Sequence, residues 1–217
     1  LLEGQGHTHE HDGSETAEEH AHAVNEHIWM SPARYARQVE NLRDALAEAD
    51  PAHAAAYRAN AERYLAQVRE MEVRASRLSQ ALAGRDCATF HDSAAYLAAD
   101  LSLHVTAALS IGEESGASAG ELAAAADALR GRDVLLLYDG QYPVEYAYLA
   151  DYASSSRTVV LDTAVKPSTG ADPAVRWLDA MESNLRALEN GDGGLCASSH
   201  TGRRQSHGTL RTAQPEN

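Results

Sequence analysis

The chain has 217 residues, 44% of them hydrophobic, which is enough for one good-sized core. Its 32 acidic side chains against 18 basic ones give a formal net charge of −14, so nucleic acid and anionic membrane surfaces are repelled and cations are the natural guests. No run of about 18 apolar residues occurs, which excludes a membrane-spanning helix within this sequence.

Residues 1–26 carry five histidines, His7, His9, His11, His20 and His22, among seven acidic side chains, with no Lys or Arg. So few apolar groups cannot offset the entropy of ordering the segment, and a mobile loop is predicted. Imidazoles are largely neutral at pH 7 and free to bind metal, so a His-rich tract among carboxylates reads as weak, multi-site metal capture. His27, in "EHIWMSP", is different: flanked by Ile28 and Trp29 and just ahead of a helix, it is held near a core.

That helix opens with Ser31 as cap and Pro32 at its first position, carries Tyr35, Val39, Leu42 and Leu46 at helical spacing, and stops near Asp50-Pro51. A second runs from about His53 to Ala83, with Tyr57, Ala61, Tyr64, Val68, Met71, Ala75, Leu78 and Leu82 at alternating intervals of four and three, and Gly84 at its end. At ~1.5 Å per residue it spans roughly 45 Å. Beyond Gly84 the β-like runs "CATFH", "LHVTAAL", "DVLLLYD" and "RTVVLD" alternate with the helical runs "SAAYLAAD", "SAGELAAAADALRG" and "PVEYAYLADYAS", and a last helix covers about Asp172 to Glu189. Strands alternating with helices predict an α/β fold whose parallel sheet is covered on both faces. Residues 191–217 have no period and little apolar content, so they are predicted to be disordered, with His200 and His207 incidental. Of the two cysteines, Cys87 beside the apolar "ATF" is expected to be a buried thiol, and the spacing to Cys196 makes no metal motif.

In an open parallel sheet, ligands gather at the carboxyl ends of the strands. That rule selects His91 after "CATF", Asp139 after "VLLLY" and Asp162 after "TVVL". His91 and Asp162 offer good zinc donors, an imidazole nitrogen and a carboxylate oxygen. The plainer readings stand beside them: a strand-end His is often a surface residue, and Asp92, Asp139 and Asp172 each precede a helix, where Asp commonly caps. His53 and His104 are read as structural.

The stretches "HIWMSPARYARQVENLRDAL", "DPAHAAAYRANAERYLAQV", "FHDSAAYLA", "LYDGQYP" and "LDTA", in that order, resemble the zinc and manganese solute-binding proteins of ABC importers, over about residues 27 to 190. The resemblance implies two α/β lobes joined by one long helix, with metal held between them. It implies an N-terminally truncated copy: residues 27–84 as the end of the first lobe plus the linker helix, and 85–190 as the second lobe. Carried over position by position, it implies His27, His91 and Asp162 as tight-site ligands, with a further His upstream of this sequence. His at position 91 favours Zn2+ over Mn2+, because imidazole suits zinc and harder oxygen ligands suit manganese. Two positions depart from the family: Asp139-Gly140-Gln141 stands where Glu-Pro-Gln is usual, and "LDT" where "LDP" is usual.

The function implied is a monomeric, extracytoplasmic protein, periplasmic or a lipoprotein, that captures zinc and delivers it to an ABC transporter permease without turnover. Two alternatives belong to other classes. One is a zinc hydrolase with an open fourth metal position and Asp139 as general base; the other is a metal-sequestering or cell-adhesion surface protein on the same fold.

Overall fold

The computed structural model describes residues 24–109, 116–141, 147–166 and 172–190. Helix α1 (Pro32–Ala49) starts where Ser31 Oγ accepts the Arg34 N–H and Pro32 takes the first position, where its missing N–H costs nothing. After the short 3-10 turn Pro51–His53 comes α2 (Ala54–Leu82), whose 29 residues make it about 43 Å long. The four-and-three spacing places Ala61, Val68, Ala75, Leu78 and Leu82 on one buried stripe, joined by Leu65. Just beyond, Gly84 turns the chain at φ +75°, the left-handed region that glycine enters freely.

The α/β half follows: β1 (Asp86–Thr89), α3 (Ala95–Asp100), β2 (His104–Ala108), α4 (Ala119–Leu129), β3 (Asp133–Asp139), β4 (Ser155–Leu161) and α5 (Arg176–Glu189). The four strands form one parallel sheet in the order β2-β1-β3-β4. Strand β3 shows why both faces are apolar. Its Leu135 and Leu137 enter a core shared with α1, α2, α3 and α5, while Val134, Leu136 and Tyr138 enter a second core under α4. The α/β class, with a long helix ahead of a parallel sheet, therefore follows from the sequence pattern. The Cys87 thiol is buried in the first core, and burial pushes its pKa up to about 12.

Local expectations differ in three places. Leu42 and Leu46 of α1 are exposed, Leu42 at 61%, because only Tyr35 and Val39 of that stripe reach the core. Helix α5 begins at Arg176 rather than Asp172; Asp172 Oδ1 instead takes the Ala174 N–H in a preceding turn. The run before β4 ends in a 3-10 stretch, Ala147–Tyr152, and the earlier part of it lies outside the described residues. No described helix is long and apolar enough to cross a membrane.

Candidate metal centre

Three loops meet at one edge of the molecule: the entry to α1, the end of β1 and the end of β4. The first is fastened by its aromatic and amide groups. Trp29 Nε1 donates to Thr163 O at 2.9 Å, Trp177 Nε1 donates to Trp29 O at 2.8 Å, and Met30 is buried beneath. His27, which precedes the 3-10 turn Ile28–Met30, is thereby held against the ends of the sheet.

His91 follows β1 and faces it. The two imidazole rings have centroids 5.1 Å apart at 87°. Between them lies the Asp92 carboxylate, with Oδ1 3.3 Å from Nδ1 of each ring. His27, His91 and Asp92 offer ligand atoms that all lie within 4.8 Å of one another. All three side chains are mostly buried, yet none is sealed off. Burial pushes the His91 pKa below its ordinary value, against the pull of the Asp92 charge and with the help of His27, which favours the neutral ring.

Asp139 lies one layer deeper. Its carboxylate accepts from Ser93 Oγ at 2.9 Å, from the Gln141 N–H at 2.9 Å and from Thr163 Oγ1 at 3.3 Å, and its Oδ2 is 3.7 Å from His91 Nδ1. With the residue 4% exposed and its oxygens engaged, it braces the site rather than facing a reactant.

Asp162, at the end of β4, is not part of the close group. Its Oδ1 receives Arg176 Nη2 at 2.5 Å and the Ala164 N–H at 2.9 Å. Burial opposes its charge, but the guanidinium and the N–H outweigh that and hold the carboxyl below its usual pKa. Its backbone is gripped by Asn184 of α5, which accepts the Asp162 N–H at 2.8 Å and donates to its carbonyl at 2.9 Å.

Of the residues selected from sequence, His27 and His91 are brought together and Asp162 stands apart on Arg176. His7, His9, His11, His20 and His22 lie outside the described residues, as do His200 and His207. His53 and His104 each bond a neighbouring acid, Asp50 and Asp86, at 2.7 Å. Sequence reasoning passed over Asp92, which it read as a cap, and Asn184, whose signal is a polar residue inside the apolar stripe Met181-Leu185-Leu188. It also left Asn25 in the acidic loop, although Asn25 is 1% exposed.

The family model described as zinc-uptake complex component A, periplasmic, matches residues 1–191. Among curated relatives, zinc-binding protein AdcA of Streptococcus pyogenes serotype M3 is 28% identical over 176 residues, covering 76% of this chain and 32% of its own length. The high-affinity zinc uptake system protein ZnuA of Bacillus subtilis is 26% identical over 174 residues, covering 78% of this chain and 54% of its own. This chain thus spans between a third and about half of the length of those relatives. Among solved structures, FpvC of Pseudomonas aeruginosa in complex with Ni2+ superposes with a TM-score of 0.65 at 24% identity, covering 79% of this chain and 65% of that one. A crystal structure of ZnuA gives a TM-score of 0.56 at 24% identity, with 80% and 63% covered. These two likenesses concern the fold. The match across nearly nine-tenths of the sequence, on a parallel-sheet framework with two histidines and a carboxylate gathered at its edge, means that the chain belongs to the family of periplasmic zinc-uptake complex component A.

Proposed function

We propose that this chain is the metal-capturing part of an extracytoplasmic zinc-binding protein, which takes up Zn2+ as cargo and passes it to an ABC permease without chemical turnover. The observation that carries the reading is the convergence of His27, His91 and Asp92, from segments more than 60 residues apart, on one small volume. Two imidazoles and a carboxylate are the donor set that zinc prefers, and they favour it over manganese. Asp162 is the further carboxylate of the site; to reach the ion it must exchange Arg176 for the metal. The five upstream histidines act as a weak capture tract that raises the local zinc concentration.

The test is zinc titration against a competing chelator. His27→Ala and His91→Ala should each weaken the tight site by about 100-fold or more, beyond the ~10–100-fold that loss of a supporting partner costs. Asp92→Asn and Asp162→Asn rank the two carboxylates in the same assay. Deleting residues 7–22 should remove only the weak sites. Zinc affinity unchanged in both histidine variants refutes the proposal.

A further inference from the structure

We infer that Asn25 is a positioning residue of this centre: its side-chain carbonyl fixes the His27 ring proton on Nδ1, leaving Nε2 as the nitrogen that takes the ion. The inference rests on the metal reading above for its consequence, but its first step concerns protons alone.

The orientation of the Asn25 amide is set by groups with no choice of role. Its Nδ2 lies 2.8 Å from the Asp92 backbone carbonyl, which only accepts, and its Oδ1 lies 2.9 Å from the His27 backbone N–H, which only donates. Flipping the amide would set donor against donor and acceptor against acceptor. Oδ1 is therefore the atom 3.0 Å from His27 Nδ1, and an amide oxygen can only accept. The other close neighbour of that nitrogen, Asp92 Oδ1 at 3.3 Å, is a carboxylate oxygen and also accepts. Nδ1 thus carries the hydrogen. In the neutral ring Nε2 is then the bare lone pair, whereas free histidine in water favours the opposite tautomer.

Asn25 is locked in this role. It is buried, and its own backbone carbonyl accepts the Tyr96 hydroxyl at 2.9 Å. One amide thereby ties together the tautomer of His27, the backbone of His27 and the backbone of Asp92, 67 residues along the chain. That is the function of the outer partners of metal-bound histidines, which fix ring orientation and the proton-bearing nitrogen.

The experiment uses the metal-free chain labelled with 15N-histidine, with ring nitrogens read by two-bond 15N–1H correlation at pH 8 and His27 assigned through His27→Ala. The wild type should show His27 protonated on Nδ1. Asn25→Ala should move it toward the Nε2–H form and weaken Zn2+ binding by about 10–100-fold, with urea unfolding run alongside to establish that the variant is folded. Asn25→Asp keeps the acceptor for His27 and should retain the Nδ1–H form, so it carries the test should the alanine variant fail to fold. Finding the wild-type proton on Nε2, or an Asn25→Ala protein with tautomer and zinc affinity both unchanged, overturns the inference. An Asn25-dependent Nδ1–H tautomer in a chain that binds no zinc supports the proton assignment and counts against the metal reading instead.

Discussion

Replacing Tyr96 by Phe removes the buried hydroxyl that ties the segment carrying His27 to the rest of the candidate site. The Tyr96 side chain is 0% exposed, and its hydroxyl donates to Asn25 O at 2.9 Å, anchoring the segment that carries His27 to α3. Phe preserves the ring, its packing and the Arg34 guanidinium 4.8 Å above it, so no cavity term enters. The bond lost to the Asn25 carbonyl is worth ~0.5–1.5 kcal/mol net, with the cost rising toward ~1–3 kcal/mol where the abandoned carbonyl stays dry. Asn25 is buried, so the upper range applies and a destabilisation of about 1.5–2 kcal/mol is expected. In urea unfolding of the metal-free chain this appears as a lower midpoint at unchanged slope, and thermally as a fall of about 3–8 °C for a chain of this size. Zinc affinity should fall less than in His27→Ala, because His27, His91 and Asp92 all keep their side chains. A loss below about 0.3 kcal/mol refutes the reasoning, since it would mean that water replaces the hydroxyl freely and that the segment is not anchored there.

Gly140 has no room for a side chain: a Cβ would stand 2.9 Å from the Leu161 backbone oxygen and 3.4 Å from Val160 Cγ1, so Gly140→Ala should lower stability by about 1–3 kcal/mol in thermal denaturation. The buried Cys87 thiol, with its pKa pushed up to about 12, should resist thiol reagents at pH 8 in a Cys196→Ser background and react only after unfolding. Arg74 joins α2 to α5 by donating to Glu189 through Nε and Nη2, each at 2.6 Å, and to Glu182. The Arg74 hydrogen bonds hold the Glu189 carboxyl below its ordinary value of 4.5, so its contribution is complete above that pH and is lost as pH falls through the lower folded-state value. Arg74→Met should therefore flatten the acid limb of the stability curve below pH 4.5, by no more than about 1 kcal/mol given the partial exposure of the pair.

The fold was legible where burial imposes a period. Helix α2 shows its stripe in the sequence because one face of it is covered along most of its length, and β3 reads as a continuous apolar run because both faces of the sheet are covered. Helix α1 misled for the converse reason: Leu42 and Leu46 keep helical spacing, but both lie outside the core and stay exposed. The start of α5 was displaced because an Asp before a Pro has the signature of a helix cap, whereas Asp172 spends its carboxylate on a turn. The Asp139-Gly140-Gln141 departure from the family pattern also has a local cause. Gly140 donates its N–H to Leu161 O at 2.7 Å, a bond that proline cannot make and an approach that a Cβ would block.

The site was legible in position but not in pairing. The strand-end rule found His91, Asp139 and Asp162 because it depends only on where strands stop, yet it says nothing about which neighbour will occupy each side chain. Asp162 is occupied by Arg176, a partner that arrives from the following helix and leaves no mark on the "LDTA" stretch. Asp92 was discounted because an aspartate before a helix usually satisfies a free N–H there. Here the neighbouring histidine supplies that acceptor instead. The Ser93 N–H points at His91 Nδ1 at 3.1 Å, while Asp92 Oδ1 lies free of the turn and between the two imidazoles. With the cap supplied by His91, Asp92 is left facing the two imidazoles, and that exchange between adjacent residues is set by side-chain direction, which residue spacing does not encode.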